Sequence, residues 1–351
     1  MTKYNRMLSL ILAPFFLTPQ TFGNGPSSKN SISLSSADPV TMQSMWAKNF
    51  KLETLWESAT GKGVTMAVCD SGFILGDPDL DGNIYVDRAL DILNLNSIVD
   101  DSKFADQGTA SLSIIASVRD GLGLTGIAFE SKVLPLQHFH YDAELDGKYT
   151  LADAGAKCIY EAIKNMDVSM LLLQSSTYRA SAESDDLVRA AIRDATKSGL
   201  IVVIPAGNSS KELITEKIYE TQAILVGATL NNGKQALFSN YGDRVNVGAY
   251  GENVQANFGQ GRIASLVGTT AAAAQITGLV ALLKEANPCL RPEELGTIFK
   301  KTNTVDGSNR RIGGLVNPVA ALAHAKSLPC QNLKMESDLN YRKQLMKKMY
   351  P

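Results

Sequence analysis

The chain is expected to form an α/β domain of three layers, a mainly parallel sheet with helices on both faces. Two observations predict this. Short apolar runs alternate along the sequence with longer helical patterns, the order that successive βαβ units produce. The runs are apolar at nearly every position, as strands covered on both faces are. Hydrophobic residues make up 44% of the 351, enough to fill one large core. No internal repeat or strong linker interrupts 42–326, so one domain is the simplest organisation.

Taken in order, 64–69, 132–137, 168–174, 200–204, 223–226 and 245–247 read as buried strands. The stretches 109–117, 151–164, 184–197, 270–285 and 292–300 read as helices. Pro292 suits a helix's first turn, and Glu293 and Glu294 lie near its positive end. Asp70 follows the first strand directly, and Pro205-Ala206-Gly207-Asn208 begins where the fourth ends. Both therefore belong at the carboxyl rim of the sheet, where ligands bind in open α/β folds.

Outside this core, residues 1–23 read as an export signal. Lys3 and Arg6 precede an apolar run at 7–17, and small residues surround Gly23. That run is too short to span a bilayer, and no later stretch is long and apolar enough, so no transmembrane segment is expected in the mature, exported chain. Residues 24–41, rich in Ser, Gly and Asn, read as a flexible lead-in. Residues 327–351 are polar and basic, with Lys334, Arg342, Lys343, Lys347 and Lys348, and read as a solvated tail. A net charge of -1 gives no electrostatic footprint for nucleic acid. Of the four cysteines, Cys289 and Cys330 either pair or remain thiols, whereas Cys69 and Cys158 read as small buried hydrophobes. The three histidines do not cluster with them, and His138 and His140 are expected on a surface loop.

Several ordered blocks carry a further signal. Asp70-Ser71-Gly72 closes the first strand, and Asp79-Leu80 follows Pro78. Gln107-Gly108-Thr109 opens the first long helix. Pro205-Ala206-Gly207-Asn208 and Phe238-Ser239-Asn240-Tyr241-Gly242 come next, and Gly268-Thr269-Thr270 opens the Ala-rich helix. In this order they resemble the landmarks of the subtilisin-like serine peptidases, peptidase family S8, over 42–326. The resemblance implies a three-layer subtilisin-like fold with a cleft for a peptide or protein ligand. It also implies that Asp70, Gln107 and Thr270 stand where the family has its orienting Asp, its His and its nucleophilic Ser, and that Asn208 stands at the oxyanion donor.

Two of those positions carry the wrong chemistry. A neutral imidazole accepts a proton near neutral pH; a carboxamide does not. Gln107 can hold geometry but cannot shuttle a proton. Thr270 is internal, and its methyl group restricts the hydroxyl. A helix N-cap is the plainer role for it. Asp106 is a carboxylate next to Gln107, but adjacent side chains on a helix do not share a direction. Asp70 is then a rim carboxylate hydrogen-bonded by Gln107 or Thr270. The glycine that gives a substrate side chain room in the family is missing, with Tyr178 as one candidate replacement. Asp77, Asp79 and Asp81 form either a solvated turn or a calcium loop, the turn being the plainer reading; no other cofactor is expected. The expected function is an exported, catalytically impaired pseudoprotease that binds peptide or protein. The alternatives are an active endopeptidase with an atypical triad and a structural envelope module.

Overall fold

A computed structural model of the chain describes residues 38–95, 105–138, 140–142, 147–149, 153–174, 182–213, 221–330 and 332–349. Three short helices, α1 (Pro39–Gln43), α2 (Met45–Phe50) and α3 (Leu52–Trp56), lead into strand β1 (Thr65–Asp70). Then come β2 (Leu90–Asp91), α4 (Ala105–Ala116), β3 (Lys132–Gln137) and a small hairpin of β4 (His140–Asp142) and β5 (Gly147–Tyr149). Helix α5 (Ala154–Lys164), β6 (Val168–Leu173), α6 (Ala182–Lys197), β7 (Ile201–Pro205), β8 (Ile224–Thr229) and β9 (Val247–Tyr250) continue the alternation. A second hairpin, β10 (Val254–Asn257) and β11 (Ile263–Leu266), precedes α7 (Thr269–Ala286), α8 (Pro292–Thr302), α9 (Pro318–Ser327) and α10 (Asn332–Met349).

Seven strands form one sheet in the order β2-β3-β1-β6-β7-β8-β9, every neighbour parallel. Side chains alternate between the two faces, and so does the core. Met66 and Val68 of β1 pack with α4, α7, α8 and α9, whereas Ala67 and Cys69 pack with α5 and α6. This is the three-layer α/β architecture that the alternating pattern implies. Strand β1 lies between β3 and β6, so successive connections leave it in opposite directions. Such a reversal opens a crevice at the carboxyl ends of the strands. Asp70 ends β1 at that point.

Three expectations fail here. Cys69 and Cys158 are not free thiols but a disulfide, with Cα atoms 6.3 Å apart, joining β1 to α5. Cys69 points to the face that α5 covers, and sequence alone does not reveal that pairing. Cys289 and Cys330 form the second bridge, Cα atoms 5.1 Å apart. The flexible lead-in stops short of 41. Thr125 donates its hydroxyl to Asp38 Oδ2 at 2.8 Å and its N–H to Thr41 Oγ1 at 2.9 Å, and both Asp38 and Thr41 are buried. Residues 1–23, read as the export signal, lie outside the described residues.

The basic tail is not solvated throughout. Arg342 is 5% exposed and donates to the carbonyls of Ala162, Ile163, Asn165 and Val168. It thus satisfies acceptors left open where α5 ends and β6 begins. Tyr341 Oη donates to Asp194 at 2.9 Å, and Asp338 pairs with Arg291 at 2.9 Å. Helix α10 is a docked element whose inward face mixes Asp338, Tyr341 and Arg342 with Leu345 and Met346, the last two packed against the core.

Candidate active site

The site is built from the carboxyl ends of β1, β6 and β7 and the first turns of α4 and α7. Asp70 is buried. Its carboxylate accepts from Ser71 N–H at 2.7 Å and Ser71 Oγ at 3.2 Å on Oδ1, and from Ser111 Oγ at 3.0 Å on Oδ2. Where the sequence suggested Gln107 or Thr270 as its partner, two serines hold it. Ser111 lies one turn beyond Gln107 on α4, so the i, i+4 spacing puts both on one face. The Ser111 hydroxyl also lies 3.2 Å from the Gln107 carbonyl oxygen.

Helix α4 can approach this closely because residue 108 is Gly. A Cβ there would lie 2.0 Å from the Gly72 carbonyl oxygen. Thr109 Oγ1 accepts the Ile74 N–H at 2.8 Å, which ties the same turn to the segment after Asp70. Gln107 is half-buried on that turn. Asp106 forms an exposed pair with Arg262 at 3.1 Å, facing away from the Asp70 network as its helical position predicts.

On the opposite side stands α7. Thr270 lies in its first turn, but the N-cap is Gly268, not Thr270. With φ at 129°, Gly268 occupies backbone space that side chains disfavour. A Cβ on it would lie 2.9 Å from Asn208 Nδ2. The capping acceptor comes from another segment. Asn208 Oδ1 accepts from Thr269 N–H and Thr269 Oγ1, both at 2.9 Å, and Thr269 Oγ1 accepts the Gly207 N–H at 3.0 Å. With its oxygen committed, Asn208 leaves its amide hydrogens on the exposed rim. Asn208 thus sits beside the first turn of α7, which carries Thr270, and Asp70 is bonded to Ser111 on α4, whose first turn carries Gln107.

Gln174, which the sequence reading passed over, links the two sides. It follows β6 directly, is 4% exposed, and donates Nε2 to Ser111 Oγ at 3.2 Å and to the Thr270 carbonyl at 3.0 Å. A polar residue immediately after the apolar run Met170–Leu173 was the available signal. Tyr178, the candidate for filling the substrate-side-chain space, lies outside the described residues. His138 departs from expectation. It is buried, not on a loop surface; its N–H donates to the Asp70 carbonyl at 3.1 Å, and ring Nδ1 lies 3.2 Å from the same oxygen. His140 lies in strand β4, paired with Tyr149.

The acidic loop is also not a solvated turn. Asp77 Oδ1 accepts from Asp79 N–H at 3.0 Å and Asn257 Nδ2 at 2.9 Å. Asp79 accepts from Ser117 Oγ at 2.8 Å and Leu124 N–H at 3.2 Å. Burial pushes the Asp79 carboxyl up to about 6. Asp77 and Asp79 are thus buried and bonded to other segments, while Asp81 is exposed.

The model of the subtilase family matches residues 61–314, which contain every element of this site. The chain belongs to the subtilase family. Subtilisin BL of Lederbergia lenta is 30% identical over 266 residues, spanning 75% of this chain and 91% of that relative. Alkaline elastase YaB of a Bacillus strain is 29% identical over 312 residues, 81% of this chain and 72% of the relative. Among solved structures, a protease of Pseudoalteromonas arctica superposes with a TM-score of 0.65 at 22% identity, covering 82% of this chain and 99% of that one. MycP1 of Mycobacterium smegmatis gives 0.62 at 22% identity, over 85% and 87%. These two bear on the subtilase fold, which they share with the seven-stranded sheet described above.

Proposed function

We propose that this subtilase-family chain is an exported pseudoprotease that uses its cleft to bind a peptide or protein segment and does not hydrolyse it. One observation carries the reading: the Asp70 carboxylate accepts from the hydroxyls of Ser71 and Ser111 and from Ser71 N–H, groups that do not titrate near neutral pH. An acyl-transfer triad needs a base that takes the nucleophile's proton and a carboxylate that orients that base. Gln107 offers an amide at the turn of α4 facing Asp70, and Thr270 offers a hydroxyl without an imidazole. Because base and nucleophile act as a unit, replacing both removes the chemistry about as fully as replacing one.

What persists favours binding. The Asn208 amide is oriented by Thr269 toward the rim, and a preorganised amide donor is suited to a peptide carbonyl. Export rests on the basic and apolar pattern of residues 1–23 and agrees with two disulfides. The test is direct. Purified protein is offered casein and a serine-directed fluorophosphonate, beside its Thr270→Ala variant. No turnover and equal background labelling are expected from both. Hydrolysis by the wild type that Thr270→Ala abolishes would establish the alternative, an active endopeptidase with an atypical triad.

A further inference from the structure

We propose that Ser111 and Gln174 form a polar lock across the floor of the site, holding Asp70 so that even an imidazole restored at position 107 does not engage it. This rests on the pseudoprotease reading and adds the residues that maintain it. The Ser111 hydroxyl has one hydrogen and two acceptors within reach, Asp70 Oδ2 at 3.0 Å and the Gln107 carbonyl at 3.2 Å. The charged acceptor makes the stronger bond. Gln174 Nε2 donates to the same hydroxyl oxygen at 3.2 Å, which leaves the hydroxyl hydrogen directed at Asp70. Its other bond, to the Thr270 carbonyl at 3.0 Å, reaches an atom that can only accept, so the amide orientation is fixed.

The result is a continuous chain Asp70–Ser111–Gln174–Thr270 joining the ends of β1, α4, β6 and α7. Ser111 is fully buried and Gln174 nearly so. Gln174 Oε1 is buried with no hydrogen-bond partner among the described residues. An unpaired buried acceptor is unfavourable to folding. The residue keeps it while its donors bridge the two halves of the site. A histidine placed at 107 would have to compete with Ser111 for Asp70 Oδ2 inside this packing.

The test uses the full chain with the 107 position titrated by NMR, in Gln107→His and in Gln107→His/Ser111→Ala. A carboxylate oxygen relieved of the Ser111 bond can accept from the imidazolium and favours it, so the second variant is expected to titrate about one pH unit higher than the first. Asp106 stays paired with Arg262, and His138 keeps its place beside the Asp70 main chain, in both variants, so their contributions cancel. Fluorophosphonate labelling then compares Gln107→His/Thr270→Ser with the same pair plus Ser111→Ala and Gln174→Ala. At least a hundredfold faster labelling is expected for the fourfold variant, decreasing as pH falls through about 6.5. Equal imidazole titrations in the two folded NMR variants would overturn the lock. So would a twofold variant that labels as fast as the fourfold one. Wild-type hydrolysis abolished by Thr270→Ala would instead remove the pseudoprotease reading, and the NMR comparison would still decide the lock.

Discussion

Helices α4 and α7 both present their first turns to the same rim, yet they are held there differently. Helix α7 is capped from outside: Asn208 Oδ1 takes two donors from Thr269, and Gly207 N–H completes the circuit. Every group in that circuit is neutral. Helix α4 is held by carboxylates at both ends, Asp70 through Ser111 near its start and Asp79 through Ser117 just past its finish. The side that would present a carbonyl-binding amide is thus self-contained and insensitive to protonation. The side where the resemblance places the family's histidine depends on charge and carries Gln107 there. The two helix turns are therefore held by separate hydrogen-bond networks, one neutral and one charged.

The comparison can be broken most severely at Gly108. In Gly108→Ala the new Cβ meets a backbone oxygen that cannot rotate aside. Helix α4 must shift, and stability should fall by about 3 kcal/mol, read from urea unfolding. An unchanged midpoint would mean that α4 does not press on the Asp70 turn. The α7 side is sharpened by Thr269→Val, which keeps the shape and removes the hydroxyl. The buried Gly207 N–H loses its acceptor, for an expected loss of roughly 1–3 kcal/mol. This loss should be the same at pH 5 and pH 8, since no carboxylate takes part.

The smallest expected effect is the pH response of the α4 side. Burial pushes the Asp79 carboxyl up to about 6, above the ordinary carboxylate range near 4, so the native state binds its proton more tightly than the unfolded state. The protonated form's stabilisation is complete at low pH and is lost as pH rises from about 4 to about 6. Asp38, also pushed up to about 6 by burial, acts in the same direction. Asp79→Asn should therefore reduce the fall in stability between pH 4 and pH 7 by about 1–2 kcal/mol. A pH profile identical to that of the wild type would show that Asp79 does not supply this dependence.

The sheet was readable because buried parallel strands leave continuous apolar runs and every helix leaves a long pattern beside them. The site was readable in outline for a related reason. Asp70 and Asn208 follow strands directly, while Gln107 and Thr270 open helices, so their places follow from local order. Ser111, Gln174 and His138 were not readable, because each acts on a residue 41 to 96 positions away. The Cys69–Cys158 bridge and the seating of Arg342 under α5 are non-local in the same sense.

By itself, then, the sequence determined which side chains reach the rim, and that an amide and a threonine stand on the two helix turns there. Tertiary structure alone decided what those groups touch. Chain order and periodicity fix the direction a residue faces along its own element. Which hydroxyl, amide or sulfur meets it is set by how separate elements pack, and that information is spread over the whole chain.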